Sequence, residues 1–110
     1  MLEDGMSFVR YAETEKEALL KAALLLEAEG WCQHSSNGED GERCLSQAII
    51  AASGIFAGAS QGARVWSGVA DLLAREIGVA GSAGLVHWND EPGRTRGEVV
   101  SLLRRVASRL

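Results

Sequence analysis

The sequence predicts an all-α fold, a compact four-helix, bundle-like domain with an ordered loop before the last helix. Apolar residues recur at helical spacing in four segments of the chain. Two of these segments begin with a threonine followed three residues later by a glutamate, and two end at a glycine, as helices commonly do. The 110 residues, 46% of them apolar and 24% charged, have the size and composition of one globular domain. We therefore expect a single domain over residues 1–110, with residues 1–13 as a loosely ordered or short helical arm.

The segment TEKEALLKAALLLEAEG predicts the first helix, over residues 15–29. Thr14 and Glu17 have the spacing of a capping box, in which the two side chains bond to free amides at a helix start. Gly30 stands where a left-handed C-cap would end the helix, and Trp31 follows at the position whose apolar contact closes such a cap. Apolar residues cover more than one narrow stripe, so this helix is expected to be central.

A polar, acidic and glycine-containing loop follows at residues 33–43, and CLSQAIIAASGIF then predicts the second helix. The core face of this helix is expected to consist of Leu45, Ala48, Ile49, Ala52 and Phe56. The glycines at positions 54, 58 and 62 are expected to fray its far end, with GASQG as the connection to the next helix.

The third helix is predicted over residues 63–77, with Gly78 as its stop. Its core face is expected to consist of Trp66, Val69, Ala70, Leu73 and Ile77. The following segment, VAGSAGLVHWNDEPG, is predicted to be irregular, with one helical turn around residues 80–85. Thr95 and Glu98 repeat the capping box and begin the last helix, whose apolar stripe continues to Leu110 at the end of the chain.

Charge is unevenly distributed along the chain, whose formal net charge is -4. Residues 1–42 carry ten acidic and three basic side chains, whereas residues 91–110 carry five arginines and two glutamates. Opposite charges at the two ends can attract each other within one molecule or between two copies, so we expect a homo-oligomer, a dimer, and allow for another protein partner. An isoelectric point near 5.1 argues against nucleic-acid binding, for which Arg104, Arg105 and Arg109 are the candidate contacts.

The start of the chain has no basic segment followed by an apolar one, and no apolar run approaches the 20 or so residues that cross a bilayer. We therefore expect a soluble cytoplasmic protein with no membrane partner, in which Cys32 and Cys44 are reduced thiols. Together with His34 and His87 these cysteines offer the donor types of a zinc site, but their spacing is not that of a zinc finger. We expect no metal and no cofactor.

The run HWNDEPGRT, at residues 87–95, is the best candidate for a functional site. Asp90 could act as a base and His87 as an acid. Arg94, beside the free amides at the start of the last helix, could bind an anion. With His34 and Trp88, these residues would form a ligand pocket between WCQH and HWNDEPGR.

The same run also has a purely structural interpretation, which we favour. Trp88 would cover the core, while Asn89 and Asp90 would bond to nearby amides in a turn. Pro92 would keep the residue before it extended, and Thr95 would cap the last helix. Arg94 would then pair with Asp90 or with the acidic first helix.

Three segments carry a resemblance to a known family: EGWCQ, RCLSQAI and WNDEPGRTRGEVVSLLRR. They resemble a family of small bacterial and phage proteins known only as a domain of unknown function. The matching positions are Trp31, Cys32, Cys44, Leu45, Trp88, Asn89, Asp90, Pro92, Arg94 and Thr95. The resemblance implies a compact helical domain with no assigned activity.

These observations favour a non-catalytic, self-associating protein-interaction module of a bacterial accessory or mobile-element type. No phosphate-binding glycine motif, nucleophile elbow or pair of catalytic carboxylates is present in the sequence. One alternative is a small-ligand binder or an enzyme with its pocket between WCQH and HWNDEPGR. A weaker alternative is nucleic-acid binding through the C-terminal arginines.

Overall fold

The computed structural model describes residues 10–110, and within this range it contains five α-helices and one 3-10 turn. These are α1 (Glu15–Glu29), α2 (Leu45–Ser53), the 3-10 turn (Ile55–Ala57), α3 (Gly62–Ile77), α4 (Gly81–Asn89) and α5 (Arg96–Ala107). The predicted all-α class is confirmed. The predicted number of four helices is wrong, because α4 is a full helix where only one turn was expected. Most of the predicted N-terminal arm, residues 1–9, lies outside the described residues.

Helix α1 has the predicted bounds and packs against α2, α3 and α5. It buries Ala18, Leu19, Ala22, Ala23 and Leu26. At its start, the Thr14 hydroxyl accepts a hydrogen bond from the Glu17 amide at 3.1 Å, as predicted. The Glu17 carboxylate instead accepts from the amide of Glu13 at 2.8 Å, one residue before the cap, so only half of the predicted box forms.

The predicted left-handed cap at Gly30 is wrong, because its φ of 101° and ψ of 163° are not left-handed helical values. The chain turns there into a short extended pairing. The Gly30 carbonyl accepts from the amide of Arg43 at 3.1 Å, and Trp31 and Arg43 form a parallel β-bridge. Trp31 therefore does not close a Schellman cap and packs, partly buried, against the core.

Cys44 is the N-cap of helix α2, and its sulfur accepts a weak hydrogen bond from the Gln47 amide at 3.4 Å. The helix ends at Ser53, so Phe56 lies in the 3-10 turn and not on the predicted core face; it is 79% exposed. The prediction that Gly62 frays this helix is wrong, because Gly62 is the buried first residue of α3. A Cβ atom at Gly62 would lie 2.7 Å from the Cα atom of Ile55.

Helices α3 and α5 agree closely with their predictions. Helix α3 ends at Gly78 in the left-handed conformation, and α5 begins with the complete Thr95–Glu98 capping box. On α3, Trp66 is partly buried against the core, and the fully buried Val65 was missing from the predicted face. The predicted stripe of α5 is wrong at Leu110, which is half exposed because the helix ends at Ala107.

The C-terminal arginines form ion pairs within the molecule. Arg104 contacts Glu27 on α1 at 2.5 Å, while Arg105, at 3.0 Å, and Arg109 both contact Glu76 on α3. Hydrogen bonds from Arg109 and then Arg105 lower the pKa of Glu76. These exposed pairs contribute little to stability, but they occupy the side chains that nucleic-acid binding would have required.

Within residues 10–110, no helix is sufficiently long and apolar to cross a membrane.

Candidate functional site

The run HWNDEPGRT spans the end of α4 and a turn. Its first three residues are helical, which differs from the predicted irregular segment. Asp90 follows as the C-cap, and its amide donates to the carbonyls of Val86 at 3.0 Å and His87 at 3.2 Å. Gly93, with a φ of 86°, then reverses the chain toward α5. Only the second half of the run is a turn.

Asn89 is the last residue of α4, and its side chain joins three parts of the chain. Its Oδ1 atom accepts hydrogen bonds from Trp31 Nε1 at 2.7 Å and from the Leu45 amide at 3.0 Å. Its Nδ2 group donates to the carbonyl of Cys32 at 3.1 Å and to Asp90 Oδ1 at 2.9 Å. Asn89 is 1% exposed, and all its hydrogen-bonding capacity is used. The prediction that it bonds to nearby amides is therefore wrong.

Gln33 and His34, in the loop that follows Trp31 and Cys32, also form hydrogen bonds with the end of α4. Gln33 Nε2 donates to the carbonyls of Asn89 at 3.0 Å and Glu91 at 2.8 Å. The His34 amide donates to Asp90 Oδ1 at 2.9 Å. This bond, and then the one from Asn89, lower the pKa of Asp90. Asp90 thus bonds to His34, 56 positions away, and not only to neighbouring amides. The sequence does not indicate Gln33, because a single glutamine in a polar loop carries no pattern.

Among the described residues Arg94 makes no ion pair with Asp90 or with α1, so both predicted partners are wrong. Its Nε group donates to the carbonyl of Trp88 at 3.0 Å, and its guanidinium carbon lies 3.8 Å from the centre of the Trp88 ring. A second contact, at 3.8 Å, reaches Glu98 on α5. Trp88 packs, partly buried, against the core. Because Arg94 contacts both the ring and the carbonyl of Trp88, it holds the turn before α5 against the end of α4.

Two open cavities meet beside this network. The larger, of about 520 Å³, is lined by His34, Ser35, Ser36, Cys44, Ser46, Gln47, Val86 and Asp90. The smaller, of about 270 Å³, is lined by His34, Val86, His87, Asp90, Glu91 and Pro92. Three of the five predicted ligand residues, His34, His87 and Asp90, are thus brought together. Trp88 and Arg94 line neither cavity.

Asp90 lies where the two cavities meet. Its Oδ2 atom is 3.9 Å from His34 Nδ1, beyond hydrogen-bond distance. His34 has a φ of 64°, the only positive φ of a non-glycine residue among residues 10–110. Such strain is held in place by the surrounding contacts and is frequent at binding sites.

The family of the chain follows from a comparison with protein-family models. The model of DUF6197, a family of unknown function, matches residues 10–109. The chain belongs to this family. The match includes all the helices among the described residues of this DUF6197 domain, the Asn89 network and both cavities. The resemblance noted in the sequence is confirmed at the level of the family. No curated protein and no solved structure matches the chain.

The cysteines of this DUF6197 domain lie at the edge of the site. Cys44 is buried and Cys32 is partly buried. Burial and then the charge of Cys44 raise the pKa of the Cys32 thiol. In the part of the chain that the structure describes, no three or more cysteine, histidine or acidic side chains are grouped so that they could hold a metal ion.

Ser46 is a cavity residue that the sequence did not indicate. It is 9% exposed, and its hydroxyl oxygen has no hydrogen-bond partner among the described residues of this DUF6197 domain. A serine near a helix start is common, so no sequence pattern distinguishes one that lines a cavity. Its unused hydroxyl adds a polar group to the larger cavity.

Proposed function

We propose that the domain binds a small cationic ligand, an ammonium or guanidinium compound, at the two cavities beside Asp90. The observation that carries this proposal is the charge of the lining. Two carboxylates, Asp90 and Glu91, line the cavities, whereas no lysine or arginine among residues 10–110 does. The larger cavity, of about 520 Å³, has the volume of a small-molecule site.

The Asp90 carboxylate is suited to a cation because one of its oxygens is already fixed. Oδ1 accepts from the His34 amide and from Asn89, and these bonds favour the ionised form. Because its pKa is lowered, the carboxylate stays charged at neutral pH and into more acidic solution than an ordinary aspartate. Oδ2 makes no hydrogen bond within 3.5 Å to the described residues, so it is available to an N–H donor of a ligand.

Ser46 supplies a second polar group. A buried hydroxyl without a partner costs about 1–3 kcal/mol, which a hydrogen bond to a ligand would recover. Asn89 and Gln33 hold the loop that carries His34 against α4, so the position of the binding groups is set before a ligand arrives.

Binding of n-butylammonium and n-butylguanidinium tests this proposal, with butyrate as a probe of opposite charge. We expect saturable changes in the backbone amide NMR signals of His34 and Ser46 with both cations. Asp90→Asn keeps an oxygen that can accept from the His34 amide but removes the charge. We expect this variant to raise the Kd for both cations about ten- to a hundredfold, which corresponds to the free energy that a hydrogen bond to a charged group contributes.

The matched control is Asp71→Asn, since Asp71 is an exposed carboxylate on α3 that lines neither cavity and contacts Arg75. Its Kd for the two cations should equal that of the wild type. Equal binding of butyrate, unchanged Kd in Asp90→Asn or the absence of a saturable response would contradict the proposal.

Self-association is a second candidate function, and one observation favours it. Leu20 and Leu24 are exposed and lie one turn apart on α1, 41% and 59% accessible. A two-fold dimer places the same surface of each copy in contact, so these leucines would face their counterparts. The proposed interface does not depend on the arginines of the C-terminal segment, since Arg104, Arg105 and Arg109 pair with Glu27 and Glu76 within one molecule.

Sedimentation equilibrium at low salt tests the dimer. We expect the wild type to dimerise and Leu24→Glu to be monomeric, while Leu110→Glu, a change of another half-exposed leucine, should still dimerise. A monomeric wild type at high concentration would exclude the dimer.

A further inference from the structure

The two cysteines are neighbours in a short parallel pairing of the chain. The Arg43 amide donates to the carbonyl of Gly30, and the Cys32 amide donates to the carbonyl of Arg43, both at 3.1 Å. These two bonds on either side of Trp31 define the parallel bridge between Trp31 and Arg43. Cys32 and Cys44 are the next residues on the two sides of this bridge, and the Cys44 amide donates to the carbonyl of Ser36 at 3.2 Å.

Because the bridge holds the residues before them side by side, we expect the two cysteines to lie about one strand spacing apart. Neighbouring strands lie roughly 4.8 Å apart, within the range of about 4.4–6.8 Å between the Cα atoms of disulfide-bonded cysteines. Side chains at the same register position point to the same face of the pairing. The influence of the Cys44 charge on the Cys32 thiol is a further sign that the two sulfurs are close.

We propose that Cys32 and Cys44 form a reversible disulfide, with a small-molecule disulfide such as oxidised glutathione as the oxidant. Both cysteines are free thiols in the structure. The Cys32 thiol donates to the carbonyl of Ser35 at 3.4 Å, a weak sulfur bond whose loss on oxidation costs little.

The reaction proceeds in two exchange steps. Cys32 is the more accessible thiol; its thiolate attacks one sulfur of glutathione disulfide, the S–S bond breaks, and one glutathione thiolate leaves and takes up a proton. The Cys44 thiolate then attacks the Cys32 sulfur of the mixed disulfide and releases the second glutathione. Two protein thiols are oxidised, and one glutathione disulfide is reduced to two thiols.

The disulfide would covalently link the two segments, around Cys32 and around Cys44, that Asn89 already connects through hydrogen bonds. Asn89 bonds to the carbonyl of Cys32 and to the amide of Leu45, the residue after Cys44. Oxidation therefore joins two segments that already meet there and closes the loop between residues 32 and 44. Cys44 also lines the larger cavity, so the thiol state would alter the site proposed above.

Treatment of the full chain with oxidised glutathione at pH 8 tests the disulfide. We expect the intact mass to fall by two hydrogen atoms, both thiols to disappear together, and a linked pair of Cys32 and Cys44 peptides in a non-reducing digest. The temperature of unfolding should rise by several degrees and return to its starting value after reduction.

Two variants separate this reaction from adventitious oxidation. Cys44→Ser keeps a hydroxyl that can cap α2 and should stop at the mixed disulfide of Cys32 with glutathione. Cys32→Ser should leave the buried Cys44 largely unmodified. A lasting glutathione adduct on the wild type, disulfide-linked dimers, or two thiols that remain free would overturn the proposal. None of these results depends on whether the cavities bind a cation.

Discussion

Replacing Asn89 with alanine is expected to lower the free energy of unfolding by about 3–5 kcal/mol. The substitution leaves the buried amide of Leu45, the indole N–H of Trp31 and the carbonyl of Cys32 without their partner. Each buried polar group deprived of its hydrogen bond costs roughly 1–3 kcal/mol. Water can reach part of the Trp31 and Cys32 region, which keeps the total below the sum of three full penalties.

Urea denaturation followed by tryptophan fluorescence measures this loss. The matched control is Asn37→Ala, since Asn37 is exposed and its side chain makes no hydrogen bond within the described residues. Its effect should remain within about 0.5 kcal/mol. A loss below about 1 kcal/mol in Asn89→Ala would show that the network is not a main support of the fold.

The second large effect concerns Gly62, where a methyl group has no room. A Cβ atom there would lie 2.7 Å from the Cα atom and 2.9 Å from the amide nitrogen of Ile55, and backbone atoms cannot move aside as a flexible side chain can. We expect Gly62→Ala to lower the free energy of unfolding by about 2–3 kcal/mol, because the 3-10 turn must separate from the start of α3.

Gly97, in the first turn of α5, is the matched glycine. It is exposed, and the nearest heavy atom to an added Cβ is Thr95 Oγ1 at 3.9 Å. Gly97→Ala should therefore stabilise the protein by about 0.5–1 kcal/mol, since alanine loses less backbone entropy in a helix. Thermal and urea unfolding of both variants measures the difference. The same sign for both substitutions would refute the close approach at Gly62.

The sequence predicted α1, α3 and α5 because a capping residue stands directly beside each helix and the apolar residues within each recur at helical spacing. Helix α4 lacks such signals. Its N-cap, Ala80, makes no side-chain hydrogen bond, and glycines occupy positions 81 and 84. Tertiary contacts override the poor propensity: Leu85 is fully buried, and a Cβ at Gly84 would lie 2.7 Å from the Cβ of Val79. The glycine therefore permits close packing that no periodicity reveals.

The sequence identified several members of the candidate site but not their partners. His34, His87 and Asp90 were selected by residue type and do line the cavities. The predicted partners of Asn89 are wrong because turn chemistry considers only neighbouring residues. Apart from its bond to the adjacent Asp90, the Asn89 side chain bonds to residues 44 to 58 positions away. Ser46 carries no local pattern, so only the three-dimensional arrangement identifies it.

The long span of the Asn89 hydrogen bonds also bears on how the domain folds and unfolds. Contacts between residues 44 to 58 positions apart require a large loop to close before they contribute any stability. The capped helices can form from contacts within each segment, so we expect the loop at 30–44 to dock onto α4 late in folding. Interactions that form after the folding transition state act on the unfolding rate. We therefore expect the loss of the Asn89 side chain to raise the rate of unfolding more than it lowers the rate of folding.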